Sequence, residues 1–587
     1  MPLEIFYERE SRHPNKRYLI QPQPGGQVEE LSWSEVGEQA RRAANWLRGQ
    51  DIEQGSRVAI ISKNCAHWII ADLAIWMAGM VSVPLYPNLT AASIRQVLEH
   101  SESRVAFLGK LDDWPSMAAG VPEGVQCVGL PLCPEGRFDV HWSELQACTP
   151  IRDNPCPAAD QLATIIYTSG TTGMPKGVMH NFNNFAFTAT QGRELFAVSE
   201  SDRMLSYLPL CHVAERTFVE MSSLYGGVEV YFAESLDTFV DDIRRARPTV
   251  FFAVPRIWTK FQMGVLAKMP AKRLDLLLRL PLIGPMIGRK VLAGLGLESV
   301  RFALSGAAPT PTALFNWYRR LGFELLEVYG MTENCGYSHV CRPGKVKPGW
   351  IGQNCPGVEV RISAEGEVLV RSESTMQGYF KEPNKTAEAL TLDGSLRTGD
   401  KGEQDAEGNL RLTGRIKEIF KTSKGKFVAP APIENRMAVD TRLGQICVVG
   451  EGMVQPLAIC VLSETARATA AGAGRAELAA ELKALVARIN GELDTHEQLR
   501  GVVLAKVDVD ANKFIAGQFQ IRSIPTVYAL FQGQPVADLT NARTEAQLSA
   551  MLDQLLEKLP IPAGDGTDAA PSLDEVAAAG MEALSEG

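Results

Sequence analysis

Residues 167–180 read YTSGTTGMPKGVMH, and this run limits the folds open to the chain more than any other segment. Just before it, Ala163 to Tyr167 are apolar, aromatic or β-branched without polar alternation, as in a buried strand. Upstream, helical spacing over Leu31–Arg48 and His67–Met80 alternates with strand patterns at Val58–Ile61 and Val81–Leu85, which is α/β layering. In the glycine-rich loop after Tyr167, Thr168, Ser169, Thr171 and Thr172 offer hydroxyls, and Gly170 and Gly173 let backbone N–H groups approach a ligand closely. Lys176 adds a compact positive charge, and the set suits an anionic polyphosphate. A bare GTTG would fit a surface turn equally well; the whole run behind a buried strand does not. The spacing Gly170-x-x-Gly173-x-x-Lys176-Gly177 has no GK[ST], which excludes the P-loop NTPases.

Further motifs follow in order: Tyr207-Leu-Pro-Leu-Cys-His212-Val-Ala-Glu-Arg216, Ser305-Gly-Ala-Ala-Pro309, Leu326-Glu-Val-Tyr329-Gly330-Met-Thr332-Glu333-Asn, Leu396-Arg-Thr-Gly-Asp400 and Gly414-Arg415-Ile-Lys417-Glu418. Taken singly, each has an ordinary reading; Asp400 after a glycine suits a turn, and His212 suits a structural role. Cys211 and His212 do not read as a thiol and its base, because neighbours on a helix point apart. Together and in this order, the segments resemble the AMP-forming adenylating enzymes, the superfamily of acyl-CoA synthetases, luciferases and peptide-synthetase adenylation domains.

The resemblance implies a site. Thr168, Ser169, Gly170, Thr171, Thr172, Gly173 and Lys176 would hold the phosphates of ATP, Gly306 and Ala307 would line the adenine side, and Tyr329 with Gly330 would cover the base. Thr332 would meet the α-phosphate, Glu333 would hold Mg²⁺, and Asp400 with Arg415 would take the ribose. These residue types suit their roles: an aromatic face covers a flat base, and a hard carboxylate oxygen suits Mg²⁺. His212 would lie at the acyl pocket, and Lys417 would be the hinge about which a small domain turns, bringing the loop around Gly425 to the thioester site. The implied reaction joins a fatty carboxylate to AMP and then to coenzyme A, with positioning and charge neutralisation as the protein's contribution. The leucine-rich stretch from Lys272 to Leu297, together with YLPLCHVAER and EVYGMTEN, resembles the long-chain fatty acyl-CoA synthetases more than the acetyl or aromatic-acid ones.

Composition bounds the partners. The chain has 587 residues, 45% hydrophobic and 22% charged, enough for several domains. Its net charge of -9, with no Lys/Arg cluster, argues against nucleic acid. Eleven cysteines without a C-x-x-C pair or zinc spacing read as reduced thiols of a cytoplasmic protein. No signal peptide or span is indicated; the most apolar early segment, Trp68 to Pro87, is interrupted by Asp72 and Pro84. Residues 272–297 mix leucines with Arg and Lys, as in a peripheral membrane contact, and equally as in an amphipathic helix on the protein's own core.

The expected organisation is a large multi-sheet adenylating domain over 1–413 and a small α+β synthetase domain over 414–506. In the first, Leu31–Arg48 and His67–Met80 read as helices, Val58–Ile61 and Val81–Leu85 as strands. In the second, a hairpin, a helix near Glu434, strands at Ile446–Val449 and Leu457–Leu462, a helix over Arg475–Leu493 and a strand at Val502–Ala505 are expected.

There the sequence departs from the synthetases, which continue as G-F-L-T-P-T-x-K-I-K-R with a lysine that serves adenylation. Aligning Phe514-Ile515 with Phe-Leu places Gln520 at that lysine, with Lys506 and Lys513 nearby. Residues 507–559 instead resemble the second half of a thioredoxin-like domain: Val502–Asp510 as its third strand, Asn512–Phe519 as a helix, Ser523 to Val527 around Pro525 as the loop before strand four, a turn at Gln532-Gly533-Gln534, and a helix over Thr544–Leu559. Residues 560–587 resemble an acidic linker into a helical repeat of thioredoxin-like co-chaperones. Without C-x-x-C, dithiol chemistry is excluded. Two functions follow: a long-chain fatty acyl-CoA synthetase impaired in adenylation, or a non-catalytic nucleotide- and acyl-binding protein whose thioredoxin-like segment docks protein partners.

Overall fold

The computed structural model describes residues 1–504, apart from 137, 169–174, 236, 439, 441, 464–465 and 468–473, and two further strands at 528–531 and 534–538. Its contacts divide the chain into two compact units, Met1–Ile416 and Lys417–Gly587.

The predicted buried strand, Leu162–Thr168, lies inside an eight-stranded sheet of the first unit. Across this sheet the order is Gly378–Tyr379, Lys176–Asn181, Leu162–Thr168, Val81–Leu85, Arg57–Ile61, Val105–Leu108, Gln126–Gly129 and Val140–His141. The strands from Leu162–Thr168 onward are parallel, and the two at the Lys176 end are antiparallel. A second sheet holds Val250–Ala253, Phe302–Ser305 and Leu325–Tyr329 in parallel, followed by His339–Val340 and Gln353–Asn354. A third sheet is antiparallel, with Glu359–Ile362, Glu367–Arg371, Leu396–Gln404 and Leu410–Arg415 in that order. A fourth joins Arg203–Ser206, Glu229–Phe232, Arg17–Pro22 and Val28–Ser32.

Local signals explain the early elements. Helix Trp33–Arg48 starts where the Ser32 hydroxyl accepts from the Glu35 N–H and the Glu35 carboxylate returns to the Ser32 N–H, a capping box. Helix Ala66–Met77 is buried along its whole length, so its sequence shows no amphipathic period. Asp72 inside it does not mark an exposed break: it is fully buried, and its carboxylate takes Arg216 Nη2 at 2.5 Å. Arg216 also bonds Glu220, Ser82 and Thr164, under the rings of Trp68, Trp76 and Phe185. One cation thereby ties two helical segments to strands Val81–Leu85 and Leu162–Thr168.

In the second unit, hairpin Phe420–Lys421/Phe427–Val428 leads into helix Pro430–Met437, and a sheet pairs Leu443–Val449 antiparallel and Val502–Leu504 parallel to Leu457–Leu462. Helix Gly474–Asn490 contributes Leu478, Leu482, Leu485 and Ile489 to its core. Strands Tyr528–Phe531 and Gln534–Asp538 pair with each other antiparallel. Lys506, Lys513, Gln520, Pro525, the helix expected over 544–559 and the tail 560–587 lie outside the described residues.

Candidate active site

Strands Leu162–Thr168 and Lys176–Asn181 bring Thr168 opposite Lys176, so both reach the same end of the large sheet. Ser169, Gly170, Thr171, Thr172 and Gly173 lie outside the described residues. Lys176 Nζ stands 4.8 Å from the centre of the Tyr379 ring, on the adjoining strand Gly378–Tyr379. The Tyr379 hydroxyl donates to Glu333 Oε1 at 2.7 Å, and burial together with that carboxylate raises its pKa, so it stays a donor. Lys176, Tyr379 and Glu333 therefore form one polar group.

Glu333 sits in a tight turn after strand Leu325–Tyr329, in the short 3₁₀ segment Thr332–Asn334. A Cβ on Gly330 would stand 2.3 Å from the carbonyl carbon of Gly336, so only glycine fits that close crossing. Asn334 Oδ1 accepts the Met331 N–H at 2.9 Å, and the Met376 N–H donates to the Glu333 carbonyl at 2.8 Å. On the neighbouring strand, a Cβ on Gly306 would clash with Val328, and Ala307 takes a left-handed φ of 64°. The Thr310 N–H donates to Glu327 at 2.7 Å; burial pushes the Glu327 carboxyl up to about 7.

Asp400 and Tyr329, assigned separately to ribose and base, are directly bonded. The Tyr329 hydroxyl donates to Asp400 Oδ2 at 2.5 Å, and Arg415 Nε donates to Asp400 Oδ1 at 2.9 Å. The Asp400 side chain is buried, whereas Arg415 is 55% exposed. An aromatic face, a carboxylate and a guanidinium thus stand together beside the Thr332–Glu333 turn.

The chain that follows this turn, from Gly336 to Val340, helps line an apolar slot with Phe218, Val250, Leu304 and Val328 among others. Its volume is about 40 Å³, room for little more than one water. His212 is not among the lining residues; it caps helix Val213–Glu215, its Nδ1 accepting the Ala214 N–H at 3.1 Å, and burial lowers its pKa. Cys211 is buried, and burial raises its thiol pKa. Lys417 opens the second unit and is exposed.

Among the described residues no three His, Cys, Asp or Glu side chains gather as a metal site. Glu333 alone fits Mg²⁺ only if the ion takes its other ligands from water and nucleotide phosphates, as Mg²⁺ commonly does. Sequence reasoning missed Tyr379 and His180. Tyr379 lay in an unremarked GYF triplet; His180 closed the opening motif without a role.

The sequence pattern described as AMP-binding enzyme matches residues 6–380, and that of the AMP-binding enzyme C-terminal domain matches 417–514. The chain belongs to the AMP-binding enzyme family. This AMP-binding enzyme is 31% identical to the long-chain-fatty-acid–CoA ligase FadD15 of Mycobacterium bovis, covering 86% of this chain and 91% of the relative. It is 28% identical to long chain acyl-CoA synthetase 5 of Arabidopsis thaliana, over 74% of this chain and 73% of that one. Its fold matches the anthranilate CoA ligase AuaEII in complex with anthranoyl-AMP, with TM-score 0.71, 20% identity and coverage of 88% and 97%. ATP-bound MatB from Rhodopseudomonas palustris matches with TM-score 0.69, 22% identity and coverage of 86% and 95%.

A thioredoxin pattern matches residues 477–554. It begins inside helix Gly474–Asn490, earlier than the strand at Val502 from which the sequence reading started it, and overlaps the C-terminal synthetase pattern over 477–514. The helix–strand pair that ends at Leu504 is thus common to both patterns, and its strand pairs in the small-domain sheet.

Proposed function

We propose that this AMP-binding enzyme activates a long-chain fatty acid with ATP and transfers the acyl group to coenzyme A. The single observation that carries the reading is the grouping of Lys176, Tyr379, Thr332 and Glu333 with Tyr329, Asp400 and Arg415, beside an apolar slot. Relatives named as long-chain-fatty-acid–CoA ligases support the substrate class.

In this reading Tyr329 covers the adenine, Asp400 accepts from ribose hydroxyls, and Lys176 with the 168–173 hydroxyls and N–H groups holds the phosphates. The acid's carboxylate oxygen attacks the α-phosphorus, the bond to pyrophosphate breaks, and Thr332 donates to the developing oxyanion. Mg²⁺ held by Glu333 would neutralise phosphate charge. The thiol of coenzyme A then displaces AMP from the acyl carbonyl, after a turn of the small domain about Lys417. We assign 1–413 to the large domain, 414–506 to the small one, 507–559 to a partial thioredoxin-like segment and 560–587 to a linker. Gln520, at the place of the adenylation lysine, supplies no charge and lowers the first step by about 10² to 10³, by analogy with an oxyanion-hole donor.

The test is product identity: long-chain acid, ATP and coenzyme A should give AMP, pyrophosphate and acyl-CoA, whereas ADP and phosphate would refute the reading. Gln520→Lys should raise adenylation; in a non-catalytic binding protein it stays at background.

A membrane contact through 272–297 has its own support. Helices Ala271–Leu278 and Ile283–Leu295 bury Leu274, Gly284, Gly288 and Leu292, yet leave Leu276, Leu282 and Met286 at 65%, 86% and 70% exposure. Lys272, Arg273, Arg279, Arg289 and Lys290 stand exposed around them on a chain of net charge -9. Exposed leucines ringed by cations fit an anionic lipid surface. Vesicles with anionic lipid should carry the protein in flotation and neutral ones should not; Leu282→Glu should abolish it, and equal flotation of variant and wild type would end the proposal. Among the described residues no helix is long and apolar enough to cross a membrane.

A further inference from the structure

We propose that His180 is a positioning residue for adenylation, holding the Thr332–Glu333 turn in register with the strand that carries Lys176. The inference rests on the reading of Thr332 and Lys176 as phosphate-binding groups, and it adds a residue to which that reading assigns nothing.

His180 is four residues beyond Lys176 on strand Lys176–Asn181, and the two-residue period puts both side chains on one face. The ring is fully buried, with Nε2 2.7 Å from the carbonyl oxygen of Thr332 and Nδ1 3.3 Å from Cys335 Sγ. A carbonyl only accepts, so Nε2 carries the proton; Nδ1 is then left with its lone pair and takes the Cys335 S–H. Two partners therefore set one tautomer and one ring orientation, and burial lowers the pKa to about 4, which keeps the ring neutral.

The turn's other bonds run to Met331, Glu333 and Asn334: the Gly336 N–H donates to the Met331 carbonyl at 2.9 Å and the Met376 N–H to the Glu333 carbonyl at 2.8 Å, so the Thr332 carbonyl depends on the imidazole. The Thr332 carbonyl also accepts the Cys335 N–H, a weaker contact at 3.3 Å, and Cys335 has a left-handed φ of 54° that a non-glycine residue adopts at a cost. The Cys335 carbonyl is pinned from the far side by the Thr217 hydroxyl at 3.0 Å. Tyr379 fixes the Glu333 carboxylate, and His180 fixes the backbone one residue earlier. Together they place Thr332 and Glu333 against the strand that carries Lys176. A shift of about 1 Å between groups that share one phosphate chain costs on the order of 10² in rate.

The experiment compares His180→Ala, His180→Gln and Cys335→Ala in the full chain. Four quantities are read: fatty-acid-dependent ATP–pyrophosphate exchange, acyl-CoA formation from preformed acyl-adenylate, the Kd of a non-hydrolysable ATP analogue, and the thermal midpoint. His180→Ala should lower kcat for exchange about 10²-fold with KM for the acid within about twofold. Thioester formation from acyl-adenylate should fall less than about threefold. Glutamine, which keeps a donor near the Thr332 carbonyl, should recover about tenfold of the loss, and Cys335→Ala should lose only about threefold. Equal losses in both half-reactions, or a glutamine variant no better than alanine, would show a merely structural histidine and overturn the proposal, as would unchanged exchange. If the wild type exchanges with no acid, the functional reading fails first; the analogue's Kd then decides, with fivefold weakening in His180→Ala supporting the positioning role and an unchanged Kd ending it.

Discussion

The fully buried Arg216 faces two fully buried carboxylates, Asp72 and Glu220, and this imbalance has measurable consequences. Three formal charges there would leave a net negative charge in the core. Burial raises the pKa of both acids, that of Glu220 well above its ordinary value, with Asp72 as a further cause. Glu220 thus holds its proton more tightly than a free carboxyl does, and with that proton retained the cluster carries no net charge. Arg216→Met removes the only cation and strands Asp72, which costs about 3–5 kcal/mol. For a unit spanning Met1–Ile416, an unfolding entropy of about 2.1 cal/mol/K per residue gives about 0.9 kcal/mol/K, so the midpoint should fall by about 3–6 °C. Glu220→Gln replaces a neutral acid by a neutral amide and should cost about 1 kcal/mol or less. The pH dependence has a fixed sign. The folded chain keeps a proton that the unfolded chain loses above about pH 4.5, so stability falls as pH rises, by up to about 1.4 kcal/mol per unit. Glu220→Gln removes that slope, while Glu215 and Glu327, also raised by burial, contribute equally to variant and wild type. Calorimetric scans at one fixed rate from pH 5 to 8 read all three quantities. An Arg216→Met midpoint within about 1 °C of wild type, or a Glu220→Gln variant as damaged as Arg216→Met, would refute the shared-proton account.

Asp400→Asn should raise KM for ATP about 10- to 100-fold with KM for the acid unchanged, because charged hydrogen bonds are worth about 1.5–3 kcal/mol each; initial rates with each substrate varied check this. Tyr379→Phe loses one bond to Glu333, so half-saturation by Mg²⁺ should rise about fivefold in a titration at saturating ATP. Gly330→Ala forces apart two backbones that a Cβ would bring to 2.3 Å, and exchange should drop about 10²-fold while circular dichroism stays that of the wild type.

The segments to which a chemical role is assigned stand out in the sequence because each uses particular residue types at short spacing. The loop strand, the Tyr329–Glu333 turn and the Asp400 and Arg415 positions could be read from consecutive residues, and the structure then joined Tyr329 to Asp400 across the fold. What could not be read depends on contacts distant in sequence. The burial of Asp72 was not legible because its partner lies 144 residues away. Tyr379 reaches Glu333 from 46 residues on, and His180 reaches the Thr332 carbonyl across 152. His212 stood in a motif, and the bond its Nδ1 accepts from the Ala214 N–H is a local feature that the motif alone could not reveal. Where the synthetase part ends and the thioredoxin-like part begins was not legible, because the two patterns overlap over 477–514 and a helix leading into a parallel strand has no signal to separate them.

Fatty-acid-dependent ATP–pyrophosphate exchange, run across acids of increasing length, tests the central claim most directly. The account predicts exchange that requires Mg²⁺, rises to a maximum with long chains, and is increased by Gln520→Lys. Background exchange at every length, in both the wild type and Gln520→Lys, would contradict it.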